Sequence, residues 1–328
     1  MSNASTLSVR VARKATVATD ICTLELVAAQ EGAPLPAFSA GSHVDVHLPG
    51  AKPGESITRQ YSLCNDPKET HRYLIAVLRD PASRGGSQAV HEQVHEGDVL
   101  QISAPKNHFP LAHEAKRSLL LGGGIGITPI LCMAERLAVT GADFALHYCT
   151  RAPERTAFRE RIAASSFADR VQFHFDDGAP GQKLNLGALL SAPQAGCYLY
   201  VCGPKGFMDA VLKTARDQGW PESQLHYEFF GAEVAKSDSD GAFEIKLASS
   251  GRIIPVAKDQ TVTKALSVAG VEIQTACEQG VCGTCMTRVL EGVPDHKDQY
   301  LTPEEQAAND QFLPCCSRAK TACLVLDL

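Results

Sequence analysis

Half of the twelve cysteines in this 328-residue chain fall within its last 52 residues: Cys277, Cys282, Cys285, Cys315, Cys316 and Cys323. Twelve cysteines are too dilute over this length for a disulfide scaffold. The other six, Cys22, Cys64, Cys132, Cys149, Cys197 and Cys202, lie in apolar stretches and read as small buried hydrophobes. The asymmetry therefore points to a metal site at the C-terminal end. The rest of the composition narrows the class. Hydrophobic residues make up 44% and charged residues 21%, as in ordinary globular chains, which excludes disorder, collagen and simple repeats. A net charge of -6 argues against non-specific nucleic-acid binding. No apolar run reaches the ~20 residues of a membrane span, and residues 1–11 lack a signal-peptide core, so a cytoplasmic protein is expected.

The spacing within the cluster is informative. Cys277-x4-Cys282-x2-Cys285, then Cys315 after 29 residues, is the plant-type [2Fe-2S] pattern. Four thiolates must converge on two irons and compensate their charge. Gly280 and Gly283 lie in the ligand loop, where a chain wrapped round a cluster needs residues able to take positive φ. Inward backbone N–H groups can then hydrogen-bond the sulfurs. A structural zinc site is the competing reading, but zinc knuckles favour paired short spacings. Cys316 adjoins Cys315. In an extended segment the two would point opposite ways, and the gap favours Cys315 as ligand. Cys323 sits in an apolar run and reads as core.

Texture divides the chain into three domains and a linker. Residues 1–113 show short strands punctuated by Gly and Pro, such as Thr23–Val27, His43–Leu48 and Tyr73–Leu78, which predicts a small antiparallel barrel. Residues 114–231 alternate strands (Ser118–Leu121, Phe144–Tyr148, Val171–Phe175, Cys197–Cys202) with helices (Pro129–Val139, Pro153–Ser165, Leu186–Leu190, Pro204–Gly219). That order predicts a parallel α/β sheet. Residues 232–241 are polar and read as a linker. Residues 242–328 return to β texture, with a helix over Val262–Gly270, and carry the cysteine cluster.

Four further motifs carry a resemblance. Arg59-Gln60-Tyr61-Ser62, Gly85-Gly86-Ser87, Gly122-Gly123-Gly124-Ile125-Gly126-Ile127-Thr128-Pro129 and Cys202-Gly203-Pro204 occur in this order before the cysteine cluster. With it, the whole chain resembles the ferredoxin-reductase superfamily members with a fused ferredoxin domain, the phthalate dioxygenase reductase and vanillate demethylase reductase family. The departures are small: Gln60 fills a variable slot, Thr275-Ala276 precede the first ligand, and Cys316 is an extra thiol exposed to oxidation chemistry.

The residues give each motif a physical task. Arg59 has a bidentate fork suited to a flavin phosphate. Gly85-Gly86-Ser87 offers backbone N–H groups and a hydroxyl, a small anion nest or a plain turn. The glycine run follows a strand and precedes a helix, which suits pyrophosphate or tight strand–helix packing. The resemblance implies more. Tyr61 lies against the flavin and Ser62 near its N5. The backbone of Ala76, Val77 and Leu78 edges the ring. Gly123, Gly124, Gly126, Thr128 and Pro129 lie between flavin and nicotinamide. Cys202, Gly203 and Pro204 border the nicotinamide pocket, with Cys202 packing and not attacking. Phe230, in preference to Phe229, sits by the flavin face. Thr150 and Arg151 follow the second strand of the nucleotide domain. Arg151 alone could serve a 2′-phosphate, whereas Asp176-Asp177 would repel one if near. NADH over NADPH rests partly on the resemblance, and FMN over FAD rests on it wholly.

The function this implies is an NADH-dependent reductase. Electrons pass from NADH through FMN and the cluster on Cys277, Cys282, Cys285 and Cys315 to a separate oxygenase or demethylase with a Rieske centre. No acid–base triad is required, so His43, His108 and His226 read as surface or structural. Glu278, Glu291, Asp295 and Asp298 offer either a docking face or a solvated surface. The protein is expected to be a monomer. Alternatives are a reductase for a hydroxylase without a Rieske centre, and a non-catalytic zinc-binding module.

Overall fold

The computed structural model describes residues 6–50, 54, 56–231 and 241–328. Most of the expected linker, 232–240, lies outside the described residues. The chain divides into two compact units, Met1–Phe230 and Gly231–Leu328. Among the described residues no helix is long and apolar enough to cross a membrane.

The first unit begins with β1 (Leu7–Ala18), β2 (Ile21–Ala28), β3 (Ser42–Pro49), β4 (Ser56–Ser62) and β5 (Tyr73–Leu78). A short helix α1 (Gly86–Glu92) follows, then β6 (Val99–Ile102) and β7 (Lys106–Asn107). The strands run β4-β3-β6-β1-β2-β5, with β7 beside β3 and every pairing antiparallel. Leu63, just after β4, bridges Ile75 in β5, which closes the sheet on itself. Alternation turns Val9, Val11, Leu24, Leu26, Val44, Val46 and Ile75 into the barrel. The Lys14 ammonium donates to the carbonyls of Val90, His91 and Val94 at 2.7–2.8 Å, satisfying acceptors that the end of α1 leaves open.

The rest of this unit is β8 (Arg117–Gly123), α2 (Ile127–Thr140), β9 (Asp143–Thr150), α3 (Arg159–Ala163), β10 (Val171–Phe175), α4 (Leu186–Leu189), β11 (Cys197–Cys202), α5 (Lys205–Asp217) and β12 (Leu225–Glu228). The strands are parallel in the order β10-β9-β8-β11-β12. Side chains of β8, β9 and β11 alternate between two cores, one shared with α2 and the other with α5. The chain order reverses between β8 and β11, so the carboxyl ends of these strands form the topological switch point where open α/β sheets bind ligands. The sequence predicts one helix from Pro153 to Ser165, but the chain breaks it. Phe158 takes a φ of 62°, and only Arg159–Ala163 is α-helical.

The second unit contains β13 (Phe243–Leu247), β14 (Ile253–Val256), α6 (Val262–Val268), β15 (Thr287–Glu291), β16 (Pro294–Asp295), α7 (Pro303–Ala308), β17 (Gln311–Phe312), β18 (Arg318–Ala319) and β19 (Cys323–Leu326). Its main sheet runs β14-β13-β19-β15-β17, with β13 and β19 parallel. Val262 and Leu266 of α6 pack on Ile245 and Leu324, a β-grasp arrangement. The buried Arg318 guanidinium donates to the carbonyls of Gly241, Ala257 and Gln260 and lies 5.2 Å from the Phe243 ring centre.

Candidate electron-transfer sites

In the barrel, β4 and the start of α1 bring together two motifs that are 26 residues apart in sequence. The Arg59 side chain lies across Gly86: a Cβ there would stand 2.6 Å from Arg59 Cγ. Its guanidinium donates to the carbonyls of Thr58 and Arg84 at 2.8 and 3.0 Å. The Ser87 hydroxyl accepts the Asp80 N–H at 3.2 Å, which leaves its proton to give to an anion. Arg59, Gly85, Gly86 and Ser87 thus form one cradle with the cation and small donors a phosphate needs. Tyr61 is half-buried against the barrel core. Gln60 faces the other way and donates to Asp45, which also pairs with Lys106. Ala76 and Val77 are buried in β5, and the Val77 carbonyl lies 3.0 Å from His91 Nε2, tying the strand to α1.

The switch point joins the other motifs. A Cβ at Gly126 would overlap the Cys202 carbonyl, and one at Gly203 would stand 2.9 Å from Gly123 Cα. The glycine run and Cys202-Gly203-Pro204 are therefore in backbone contact. Thr128 and Pro129 are buried within the first turn of α2, and the Thr128 hydroxyl donates to the Ile125 carbonyl. Phe230 is 41% exposed, whereas Phe229 packs on the sheet and edge-on to Tyr227. The free ring is Phe230.

Glu228 has no place in the sequence reading, and the structure puts it here. The Ser62 hydroxyl donates to Glu228 Oε2 at 3.4 Å, and Glu228 pairs in register with Cys202. Burial pushes the Glu228 carboxyl up to about 8, opposed only by the Ser62 hydrogen bond. Burial above all holds the Cys202 thiol protonated, as a packing group requires, and Glu228 adds to this once it ionises. The only cue in the sequence is one carboxylate within Leu225-His226-Tyr227-Glu228-Phe229-Phe230. The raised value has a stability consequence. Above about pH 4, the ordinary glutamate value, the unfolded chain loses a proton that the folded chain keeps. This carboxyl therefore costs stability progressively from there up to its folded value of about 8. Glu228→Gln should match the parent in thermal melts at acid pH, gain on it steadily towards about pH 8 and level off above that. Parallel melting curves across the range would refute the assignment.

At the ends of β9 and β10, Asp176 and Asp177 donate their N–H groups to the carbonyls of Thr150 and Arg151, both at 3.0 Å. The acidic pair is thus beside Arg151. Thr150 is buried, with its hydroxyl 2.8 Å from that of Thr156. Two of the histidines singled out above, His43 and His226, sit in ring stacks. His43 is buried, held near pKa 4 by burial, and stacked at 5.4 Å on His108. His226 stacks on Tyr200 at 4.9 Å.

In the second unit Cys277, Cys282, Cys285 and Cys315 are all buried, and they meet as two pairs. Cys277 lies within hydrogen-bond reach of Cys282, and Cys285 of Cys315. Two thiolates per iron is the donor set that a two-iron cluster requires. Among the described residues no three His, Cys, Asp or Glu side chains close on a single point. Backbone N–H groups are turned inward: Gln279 N–H reaches the Cys277 sulfur at 3.3 Å, and those of Thr284 and Gly280 point at Cys282 and Cys315. The hydrogen bond between Cys277 and Cys282 lowers the Cys282 thiol and, with burial, raises that of Cys277. Gly280 and Gly283 take φ of 74° and 70°. Two expectations change here. Residues 314–316 form a turn and not an extended segment, so both Cys315 and Cys316 are buried and adjacent, and alternation does not separate them. The Cys316 sulfur packs against Gly280, within reach of the Leu313 carbonyl and the Ser317 hydroxyl. Asp298 is not part of an acidic surface: its side chain has no exposure. Glu278 and Glu291 are exposed.

A barrel with a phosphate cradle, a parallel sheet with its motifs at the switch point, and a thiolate-lined β-grasp unit define an iron–sulfur oxidoreductase. Residues 245–320 match the 2Fe-2S iron-sulfur cluster binding domain family. The chain is 56% identical over 312 residues to vanillate O-demethylase oxidoreductase of a Pseudomonas species, covering 95% of this chain and 96% of that one. The crystal structure of phthalate dioxygenase reductase, described as modular for electron transfer from pyridine nucleotides to [2Fe-2S], superposes with a TM-score of 0.76 at 38% identity, covering 99% and 98%. An intact type IV self-sufficient cytochrome P450 monooxygenase matches with a TM-score of 0.84 at 38% identity, covering 98% of this chain and 41% of that longer one. The chain belongs to the family of vanillate O-demethylase and phthalate dioxygenase reductases, the reductase components of multicomponent oxygenases.

Proposed function

We propose that this reductase takes electrons from NADH through FMN and a [2Fe-2S] cluster to a Rieske-type aromatic-ring oxygenase or demethylase. The observation that carries the reading is the convergence of the Arg59–Gly86 cradle, the Ser62–Glu228–Cys202 contact and the Gly122–Gly126 run within one unit. Residues 1–113 serve the flavin, 114–231 the nucleotide and 242–328 the cluster. Bound flavin accepts a hydride and releases electrons singly, and the cluster relays them one at a time. The chain supplies the rest. Arg59, Gly85, Gly86 and Ser87 hold the phosphate. Tyr61, Ser62 and the backbone of Ala76, Val77 and Leu78 orient the ring. Glu228 holds a proton beside Ser62, and Phe230 covers the ring face. Gly123, Gly124, Gly126, Cys202, Gly203 and Pro204 let the nicotinamide approach closely. Asp176 and Asp177 beside Arg151 disfavour a 2′-phosphate. Cys277, Cys282, Cys285 and Cys315 hold the irons. Twelve cysteines with no disulfide suit a reducing cytoplasm, and we assign a monomer. The likeness to the reductase portion of a self-sufficient P450 favours a second reading, an oxygenase partner without a Rieske centre.

The test is an anaerobic visible spectrum before and after NADH. Flavin and iron–sulfur bands that bleach promptly with NADH are expected, and the released flavin should be FMN. Bleaching with NADPH alone would reverse the nucleotide assignment. A colourless zinc protein would overturn the function.

A further inference from the structure

We propose that Asp298 is a positioning residue for the iron–sulfur cluster: it packs between the two ligand-bearing segments, and its buried carboxylate biases the cluster towards its oxidised state. The inference rests on the cluster reading above. The Asp298 side chain has no exposure to solvent. It accepts the Leu301 N–H at 2.9 Å and the Ser317 hydroxyl at 3.3 Å, and lies 3.4 Å from His296 Nδ1. Ser317 is two residues beyond Cys315. On the other side, a Cβ at Gly280 would stand 3.0 Å from Asp298 Cα and 3.1 Å from its Cβ. The adjoining Gln299 N–H donates to the Gly280 carbonyl at 3.0 Å. Gly280 is the residue whose N–H faces the Cys315 sulfur. Asp298 therefore spans both segments: its backbone and Cβ pack on Gly280 of the Cys277–Cys285 loop, and its carboxylate accepts from Ser317 beyond Cys315.

Its charge acts with its shape. Among the groups facing it are the Leu301 N–H, the Ser317 hydroxyl and the His296 imidazole, whose Nε2 is buried without a hydrogen-bond partner among the described residues. A carboxylate accepts from the first two, and from the imidazole when Nδ1 carries the proton. A negative charge away from water opposes the arrival of an electron nearby, more strongly than an exposed one that salt can screen. Reduction adds one electron to the cluster and no bond is made or broken.

The test is an equilibrium redox titration of the cluster in the full-length holoprotein, followed by electron paramagnetic resonance. Asp298→Asn keeps the shape and removes the charge. It should favour the reduced cluster by about tenfold, ~59 mV for one electron. Glu278→Gln removes an exposed charge from the same loop and should shift the potential less. An unshifted Asp298→Asn, or equal shifts in both variants, would overturn the proposal. If Asp298→Asn takes up no cluster, Ser317→Ala decides. It strips one donor from the carboxylate and should lower the potential, and no change would overturn the proposal. A parent protein without any reducible cluster would instead sink the functional reading beneath it.

Discussion

Cys315→Ser is expected to abolish the cluster while leaving NADH-driven flavin reduction intact. Cys315 is the partner of Cys285 in one of the two thiol pairs, so its loss leaves one iron with a single protein sulfur. A serine hydroxyl gives up its proton far less readily than a thiol and cannot replace the thiolate charge. Losing even an outer-shell partner costs about 10–100-fold in metal affinity, so loss of a ligand should exceed that. Iron and sulfide content and the visible bands of the cluster should vanish. The flavin and nucleotide motifs belong to the other compact unit and keep their chemistry. Cys316 is the natural rescuer, being adjacent and buried, but its sulfur is packed against Gly280 and the Leu313 carbonyl. Cys316→Ser should therefore retain the cluster. The reverse pattern, a cluster surviving in Cys315→Ser and lost in Cys316→Ser, would exchange the two assignments.

Gly126→Ala should cripple hydride transfer and spare the cluster. Gly126 has an ordinary φ of -62°, so the obstacle is space and not conformation. An added Cβ would overlap the carbonyl of Cys202 and stand 2.5 Å from the nitrogen of Gly203. Neither backbone can yield easily, because β8 and β11 are paired from Arg117–Cys197 to Gly122–Cys202. On the proposed function the clash falls where nicotinamide meets flavin, and a misplacement of about 1 Å there can cost ~100-fold in rate. Stopped-flow bleaching of the flavin by NADH should slow by about that factor, again ~100-fold. Chemical reduction of the cluster should be normal. An unchanged bleaching rate would show that this contact does not set the approach of the nucleotide.

The fold classes were legible because local patterns carry them. Period-two alternation marked barrel strands such as His43–Leu48, and the strand–helix order after residue 117 marked the parallel sheet. Local pattern failed where long-range packing decides. The Pro153–Ser165 stretch is broken at Phe158, whose ring is buried in the core shared with α2. Alternation did not apply to Cys315 and Cys316, because a turn carries them.

By itself the sequence pointed to four candidate metal ligands. Their spacing is short, and a loop of eight or nine residues leaves few ways to gather three thiolates. It also offered candidate phosphate and nucleotide motifs, since glycines and one arginine suit that chemistry locally, while their roles rest on the family resemblance. Only the tertiary structure decided the partners of those groups. Gly86 lies under Arg59 from a different element, Glu228 meets Ser62 from 166 residues away, and Asp298 lies behind the cluster loop instead of on its surface. A carboxylate's chemistry depends on whether water or protein surrounds it, and burial follows from how distant segments close together.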